Sequence, residues 1–430
     1  MADRRKQPGR AVELTVEALG ARGDGIAKIE GDSVFIPHTA PGDRVRVSLA
    51  PKNRVSSIER LADGPARVDP PCPHFEICGG CSVQHIAEAA YVSWKENILR
   101  EALLRRQIDP APIRPMARGA PGRRRRARLH FIATATGVVL GFREGRSHRI
   151  VAIDSCALLT GRLTGFLEAL RGALRSCLKA GARGEATLTD TETGIDLTLA
   201  LKDEPDLRLR EALSEIAQTH DLARISWKPL SRTGGEEAGP VIARRAPTMR
   251  IGDITVALPP DGFVQPTAAG EAALRDVVMT AASGAGRVLD LYSGCGAFGL
   301  PVAETGALVH AVERDPAQIG ALNHAARQAG FGERVTGEAR DLDRRPLLPH
   351  ELAAFDAVIL DPPRAGAEKQ VEQLALSAAG TIVYVSCNPV SFARDAQMLI
   401  GAGYAIETIL PVDQFLWSPH LELAGVFRKG

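Results

Sequence analysis

One stretch limits the folds open to this chain more than any other. Arg287-Val288-Leu289-Asp290-Leu291-Tyr292 reads as a buried strand that passes directly into Ser293-Gly294-Cys295-Gly296-Ala297-Phe298-Gly299. Residues 300–305 then continue as a helix. A strand joined to a helix by a glycine-rich turn belongs to parallel α/β sheets, whose ligands lie at the carboxyl ends of the strands. Glycine lets a ligand approach the backbone closely at such a turn. The next strand, residues 307–312, runs up to Glu313, nineteen residues after Gly294, where an acid can hold both hydroxyls of a ribose. NAD and S-adenosylmethionine sites share this geometry, so the turn alone does not choose between them.

Three further segments repeat the strand-then-polar-turn design. Arg340-Asp341 closes a short region, where an acid can accept from an adenine amino group. Residues 355–360 are followed by Asp361-Pro362-Pro363-Arg364, and two prolines after a strand make a rigid lip that fixes the aspartate. A NAD enzyme has no evident use for that lip. N-methyltransferases acting on amino groups usually carry an aromatic where Arg364 stands. The run Thr381-Ile382-Val383-Tyr384 leads into Val385-Ser386-Cys387-Asn388-Pro389. Asn-Pro stops the strand, so Cys387 falls on the ligand edge, as either a small buried hydrophobe or a nucleophile of lowered pKa. Near the end, Glu422 stands within an apolar strand, as an ion-paired structural group or a general base of raised pKa.

At 430 residues the chain is too long for one core, and its 45% hydrophobic and 24% charged residues are those of a soluble globular protein. Residues 1–10 are charged rather than apolar, and no window of eighteen residues is uninterruptedly apolar. Neither a signal peptide nor a membrane span is expected, and the compartment is expected to be cytoplasmic. Short alternating strands at 11–16, 25–29, 33–36 and 44–49, punctuated by turn residues, predict a small OB-like barrel over residues 1–62. Lys28, His38, Arg44, Arg46, Lys52 and Arg54 give it a basic bias. The run from Val16 through Gly23-Asp24-Gly25-Ile26-Ala27 resembles the TRAM domain, an RNA-binding module of RNA-modifying enzymes.

The region 63–260 reads as a mixed α+β central domain. Cys72, Cys78 and Cys81 lie within ten residues around Gly79-Gly80, which is a metal-loop pattern. Cys156 is the best fourth ligand for zinc or an iron–sulfur cluster, and His74 or His85 would serve zinc instead. Residues 88–106 carry helical periodicity through Ala90, Trp94, Ile98, Ala102 and Leu103, and the helix is a candidate to pack on the catalytic domain. Arg123-Arg124-Arg125-Arg126-Ala127-Arg128 is either a solvated run or a phosphate track, and a second basic turn at 141–149 favours an RNA-facing surface. Only nine of the 53 basic residues are lysine, which suits bidentate phosphate contacts and equally a GC-rich genome. Residues 161–240 carry no usable motif, and Gly234-Gly235 marks an exposed loop.

Taken together, Gly262-Phe263-Val264-Gln265, Asp290 to Gly296, Asp361 to Arg364, Ser386 to Pro389 and His420-Leu421-Glu422 resemble the RNA 5-methyluridine methyltransferase family. The resemblance covers nearly the whole chain. It implies a class I S-adenosylmethionine-dependent, Rossmann-like α/β catalytic domain over 261–430. It implies Cys387 as nucleophile, Glu422 as base and Asp361 as the group that positions the uracil. Gln265, Tyr292, Gly294, Gly296, Glu313, Asp341 and Asp361 fall on cofactor positions. Cys72, Cys78, Cys81 and Cys156 match the subgroup with a [4Fe-4S] cluster, whose members with a barrel generally modify 23S rRNA, although some use tRNA. The expected product is therefore 5-methyluridine in RNA, formed through a Cys387 adduct at carbon 6 by a monomer. The rival is a redox-sensing iron–sulfur RNA-binding protein without turnover; cytosine-5 methylation is a second. Ala297 where asparagine is expected, and Pro266-Thr267 after Gln265, depart from the pattern and bear on cofactor affinity.

Overall fold

The computed structural model describes residues 10–51, 53–231 and 237–430, so Lys52 and the Gly234-Gly235 loop lie outside the described residues. The described chain divides into two compact units. One comprises residues up to Ile98 together with Glu144–Ser147 and Trp417–Pro419, and the other the remainder.

In the first unit, strands β1 (Arg10–Thr15), β2 (Ala18–Leu19), β3 (Gly25–Ile29), β4 (Asp32–Ile36), β5 (Arg44–Ala50) and β6 (Arg54–Ala62) form two three-stranded sheets, β1-β5-β6 and β2-β3-β4. Val16, Ala27, Val34, Ile36, Val45 and Val47 fill the space between them. The alternation of the sequence predicts four of these strands. It misses β6 because that strand is largely exposed and polar on both faces. The barrel closes on a buried ion pair, with Arg67 Nη2 donating to Asp43 Oδ2 at 2.6 Å. Helix α1 (Glu88–Leu104) buries Tyr91, Trp94, Lys95, Leu99, Ala102 and Leu103 along one stripe. It stops short of the expected Arg106, and Gln107 (φ 60°) turns the chain into the left-handed region before Pro110 is reached.

The second unit holds two seven-stranded sheets. Strands β7 (Arg126–Ala133), β8 (Val138–Arg143) and β9 (Ile150–Ala152) precede α2 (Gly161–Cys177). Then come β10 (Arg183–Thr191), β11 (Gly194–Leu201), α3 (Leu207–Thr219), β12 (Leu222–Pro229) and β13 (Gly239–Ala243). They assemble in the order β13-β12-β11-β10-β7-β8-β9, and α2 and α3 cover the sheet with Leu163, Phe166, Leu167, Leu170, Leu209 and Leu213. A hairpin, β14 (Thr248–Ile251) and β15 (Ile254–Ala257), connects this central sheet to the catalytic one.

The catalytic sheet begins after α4 (Ala268–Ala281). It alternates β16 (Arg287–Leu291), α5 (Gly299–Glu304), β17 (Leu308–Glu313), α6 (Pro316–Gln328) and β18 (Val335–Ala339). It continues with α7 (Pro349–Leu352), β19 (Ala357–Leu360), α8 (Glu368–Ala375), β20 (Thr381–Ser386), α9 (Pro389–Gly401), β21 (Tyr404–Val412) and β22 (Glu422–Lys429). The strand order is β18-β17-β16-β19-β20-β22-β21, parallel except that β22 runs against both its neighbours. This is the expected Rossmann-like class. The order reverses between β16 and β19, and a ligand crevice opens at the carboxyl ends beside such a reversal. No described helix is long and apolar enough to cross a membrane.

Candidate active site

A cleft of about 780 Å³ opens at the carboxyl edge of the catalytic sheet. That size suits a nucleoside-scale ligand together with a base. The topology explains who meets there. Cys387 follows the last residue of β20, while Glu422 begins β22, and the antiparallel register sets Ser386 opposite Leu423. Continuing that register by one residue places Cys387 beside Glu422. Asp361 follows β19 on the same edge, and all three side chains line the cleft. Asn388 caps α9 by accepting from Val390 N at 3.1 Å, with Pro389 in the first helical turn, where its missing N–H costs nothing. Its Nδ2 also donates to the Arg364 carbonyl at 3.0 Å, tying the Asp-Pro-Pro-Arg lip to the cysteine turn.

The acids at this edge are not neutralised by cations: neither Asp361 nor Glu422 forms an ion pair among the described residues. Burial raises the Asp361 carboxyl to about 7, against a hydrogen bond from Gln265 that lowers it. Glu422, 3% exposed, is pushed well above the usual carboxylate range by burial and then by Asp361. Burial pushes the Cys387 thiol up to about 11, with Glu422 and Asp361 adding to the effect and Arg364 opposing it. The protein groups around Cys387 therefore favour the thiol, and a positive charge brought beside it would favour the thiolate.

The expected cofactor positions gather around the glycine turn. Tyr292 (φ 60°), Gly294 (φ 54°) and Gly296 (φ 92°) all take left-handed backbone there. Glu313, ending β17, accepts from Gly294 N at 3.2 Å and Asp315 N at 3.0 Å. Asp341 accepts from the amides of Asp343 and Arg344. Gln265, Tyr292, Gly294, Glu313, Asp341 and Ala297 line the cleft. Gly296 does not, and its constraint is internal: a Cβ there would meet Leu300 Cγ at 2.7 Å. The hydroxyl of Ser293, buried and without a protein partner, also borders the cleft. An orphaned hydroxyl, an acid ending a strand and a glycine turn fit the polar parts of S-adenosylmethionine.

The arginine run is not one phosphate track. Arg125 is 8% exposed and donates through Nη2 to Glu271 at 2.5 Å and through Nε to the Gln265 carbonyl at 2.9 Å. Arg126 donates to Asp261 at 3.1 Å, and burial lowers its pKa against that partner. Burial alternates from Arg124 through Arg128 as the chain extends into β7, so consecutive arginines do not share one face. Arg124, Arg126 and Arg128 line the cleft instead. Cys72, Cys78 and Cys81 lie in the first unit and Cys156 in the second, and no group of three or more His, Cys, Asp or Glu among the described residues is placed to hold a metal ion.

Gln414, which sequence reasoning passed over, and Thr267, which it noted only as a departure from the family pattern, complete the site. Gln414, buried after β21, donates to Gln265, and Thr267 caps α4 by accepting from Gly270 N at 3.1 Å. The only signal for Gln414 was an amide among apolar neighbours.

The fold is of the Rossmann-like class, with a nucleoside-sized cleft at the carboxyl edge of its sheet. The model of the tRNA (Uracil-5-)-methyltransferase family matches residues 331–429, and that of the TRAM domain residues 5–50. An uncharacterized RNA methyltransferase of Brucella suis biovar 1 is 39% identical, over 97% of this chain and 98% of that protein. The 23S rRNA (uracil(1939)-C(5))-methyltransferase RlmD of Pectobacterium atrosepticum is 31% identical over 99% of this chain and 95% of that one. The crystal structure of Pyrococcus abyssi tRNA (uracil-54, C5)-methyltransferase with S-adenosyl-L-homocysteine shares the fold. Its TM-score is 0.75 at 24% identity, covering 97% of this chain and 100% of that chain. The chain belongs to the family of S-adenosylmethionine-dependent RNA uracil-5-methyltransferases.

Proposed function

We propose that this protein methylates carbon 5 of one uridine in 23S rRNA through a covalent adduct between Cys387 and carbon 6. The observation that carries the reading is the meeting of Cys387, Glu422 and Asp361, unneutralised, at one sheet edge. Bound S-adenosylmethionine would supply an electrophilic methyl group and a positive sulfonium.

Carbon 5 of uracil is a weak nucleophile until carbon 6 is saturated. Cys387 sulfur bonds to carbon 6 as its proton passes to Asp361, and the ring electrons move towards carbon 5 and the carbon 4 oxygen. Carbon 5 then takes the methyl group, whose bond to the sulfonium would break to leave the neutral thioether S-adenosylhomocysteine. Glu422 removes the carbon 5 proton, the carbon–sulfur bond breaks and Cys387 recovers its proton from Asp361. One proton is released in total, from Glu422 to solvent. The target has to leave its stack to reach this edge. Phe263, 52% exposed under the Arg126 guanidinium, offers an aromatic face at the rim for a neighbouring base.

The ribosomal assignment rests on similarity to RlmD along nearly the whole chain. We further assign Cys72, Cys78, Cys81 and Cys156 to a [4Fe-4S] cluster on their resemblance to the cluster-bearing subgroup of the family, and route no chemical step through it. Anaerobically purified protein with roughly four irons per chain, lost in Cys78→Ala, is the expected result; an iron-free, folded and active protein would remove the assignment. The function is tested by transfer of labelled methyl from S-adenosylmethionine to separated ribosomal and transfer RNA from unmodified cells. Label in 5-methyluridine of 23S rRNA is expected. Label confined to tRNA would change the target, and no label in either would overturn the reading.

A further inference from the structure

Gln265 presents a primary amide to Asp361, and an amide has an oxygen end and a nitrogen end. Which end faces the cleft is set by a chain of hydrogen bonds anchored on a group that can only donate. The Thr267 backbone N–H donates to Gln414 Oε1 at 3.4 Å. Gln414 Nε2 is thereby turned to donate to Gln265 Oε1 at 3.0 Å. Gln265 Nε2 is then the end left for Asp361 Oδ2, at 3.2 Å. Gln414 is 3% exposed and has no room to swing away. A Cβ at Gly270 would lie 2.3 Å from Gln414 Cγ and 2.5 Å from its Cδ, so only glycine admits the side chain there. Arg125 fixes the other side of the same segment through the Gln265 and Pro266 carbonyls, each at 2.9 Å.

The Gln265 nitrogen carries two hydrogens. One is directed to Asp361, and the second is available to a ligand in the cleft. Uracil offers a carbonyl oxygen at carbon 4, where cytosine offers an amino group. An outward N–H accepts the first and rejects the second, because two donors face each other. We propose that Gln414 is a positioning residue that sets uracil-over-cytosine selectivity by holding the Gln265 amide with its nitrogen towards the cleft. This inference rests on the uracil-5-methyltransferase reading of the same site. Gln414 does not line the cleft, and its link to the site is the hydrogen bond to Gln265, through whose orientation alone it acts.

The test compares wild type with Q414L, Q414E and G270A. Q414L removes both bonds, Q414E is nearly isosteric but offers Gln265 only acceptors, and G270A displaces Gln414 from the helix side without entering the cleft. Each is assayed on one RNA carrying uridine or cytidine at the modified position. The ratio of kcat/KM for uridine over cytidine should fall by about tenfold to a hundredfold in all three. Both substrates use the same cofactor, so weaker S-adenosylmethionine binding or a general loosening of the site would lower both values together and leave the ratio unchanged. An unchanged ratio in folded Q414E and G270A overturns the proposal. The Asp361 carboxyl, followed by carbon-13 NMR in the ligand-free protein, gives a readout independent of turnover. Its midpoint should rise in Q414E and Q414L, which lose the N–H donated to it, and a midpoint at the wild-type position overturns the pinning. A wild type that makes no 5-methyluridine defeats the functional reading, and the NMR titration then decides the amide orientation by itself.

Discussion

The central sheet and the catalytic sheet handle buried charge in opposite ways. Where the central sheet meets the segment 258–271, every buried charge has a partner. Arg224 grips Asp196 with two bonds of 2.7 and 3.0 Å, Arg125 grips Glu271, and Asp261 takes both Arg126 and Lys228. At the carboxyl edge of the catalytic sheet, Asp290, Asp361, Glu422 and Cys387 share one neighbourhood with no cation bonded to any of them among the described residues. Pairing does not abolish the cost of burial, since even Asp196 has its pKa raised beside Arg224. It does decide what a charge is for. Paired groups place the Gln265 segment, and unpaired acids of raised pKa are strong enough bases to take up the protons that chemistry moves.

Removing the nucleophile should break the reactive side most completely. Cys387→Ala should lower methyl transfer on the order of 10⁴-fold or more while S-adenosylhomocysteine binding stays near wild type. Residual transfer within tenfold of wild type would remove Cys387 from the mechanism. Glu422→Gln should cost roughly 10² to 10⁴ in rate and let an RNA–protein adduct accumulate, seen as a band stable in denaturing gels. Rapid turnover without such a band would take the base role from Glu422.

On the scaffold side, Arg125→Met leaves Glu271 buried without its 2.5 Å partner. It should destabilise the fold by about 3–5 kcal/mol in a denaturant titration. Arg125→Met combined with Glu271→Met should recover much of the loss, and a double variant no better than the single one would show that the pair acts through something other than charge.

A further effect is one of pH. Burial raises Asp290 from 3.8 to about 8 and Asp361 to about 7. Both are neutral in the folded and unfolded states below about pH 4, so no penalty is felt there. Between pH 4 and 8 the unfolded chain ionises first, and stability falls as pH rises. Asp290→Asn should flatten that decline in thermal melts across pH 5 to 8; an equally steep decline would place the titrating group elsewhere.

Much of the catalytic sheet was legible in the chain because its strands are buried on both faces and read as continuous apolar runs, each closed by glycine, proline or an acid. Residues 287–292, 355–360 and 381–384 locate three strands to within a few residues. The barrel's β6 was illegible because a polar edge strand has no pattern to detect. The arginine run misled for a related reason. Charge density along a sequence says nothing about which side of a strand each side chain takes, and Arg125 turned inward to Glu271.

What the sequence determined by itself was the order of strands and turns and the identity of the chemical groups at their ends: thiol, two carboxylates, glycine turn. Local pattern suffices for these, because each is settled within a dozen neighbouring residues. Only the tertiary structure decided that β22 runs antiparallel, which brings Glu422 to the edge where Cys387 ends its strand. It also decided that Gln414, 149 residues from Gln265, holds that amide in place. Pairings across such separations depend on sheet register and packing, which no local stretch of chain encodes.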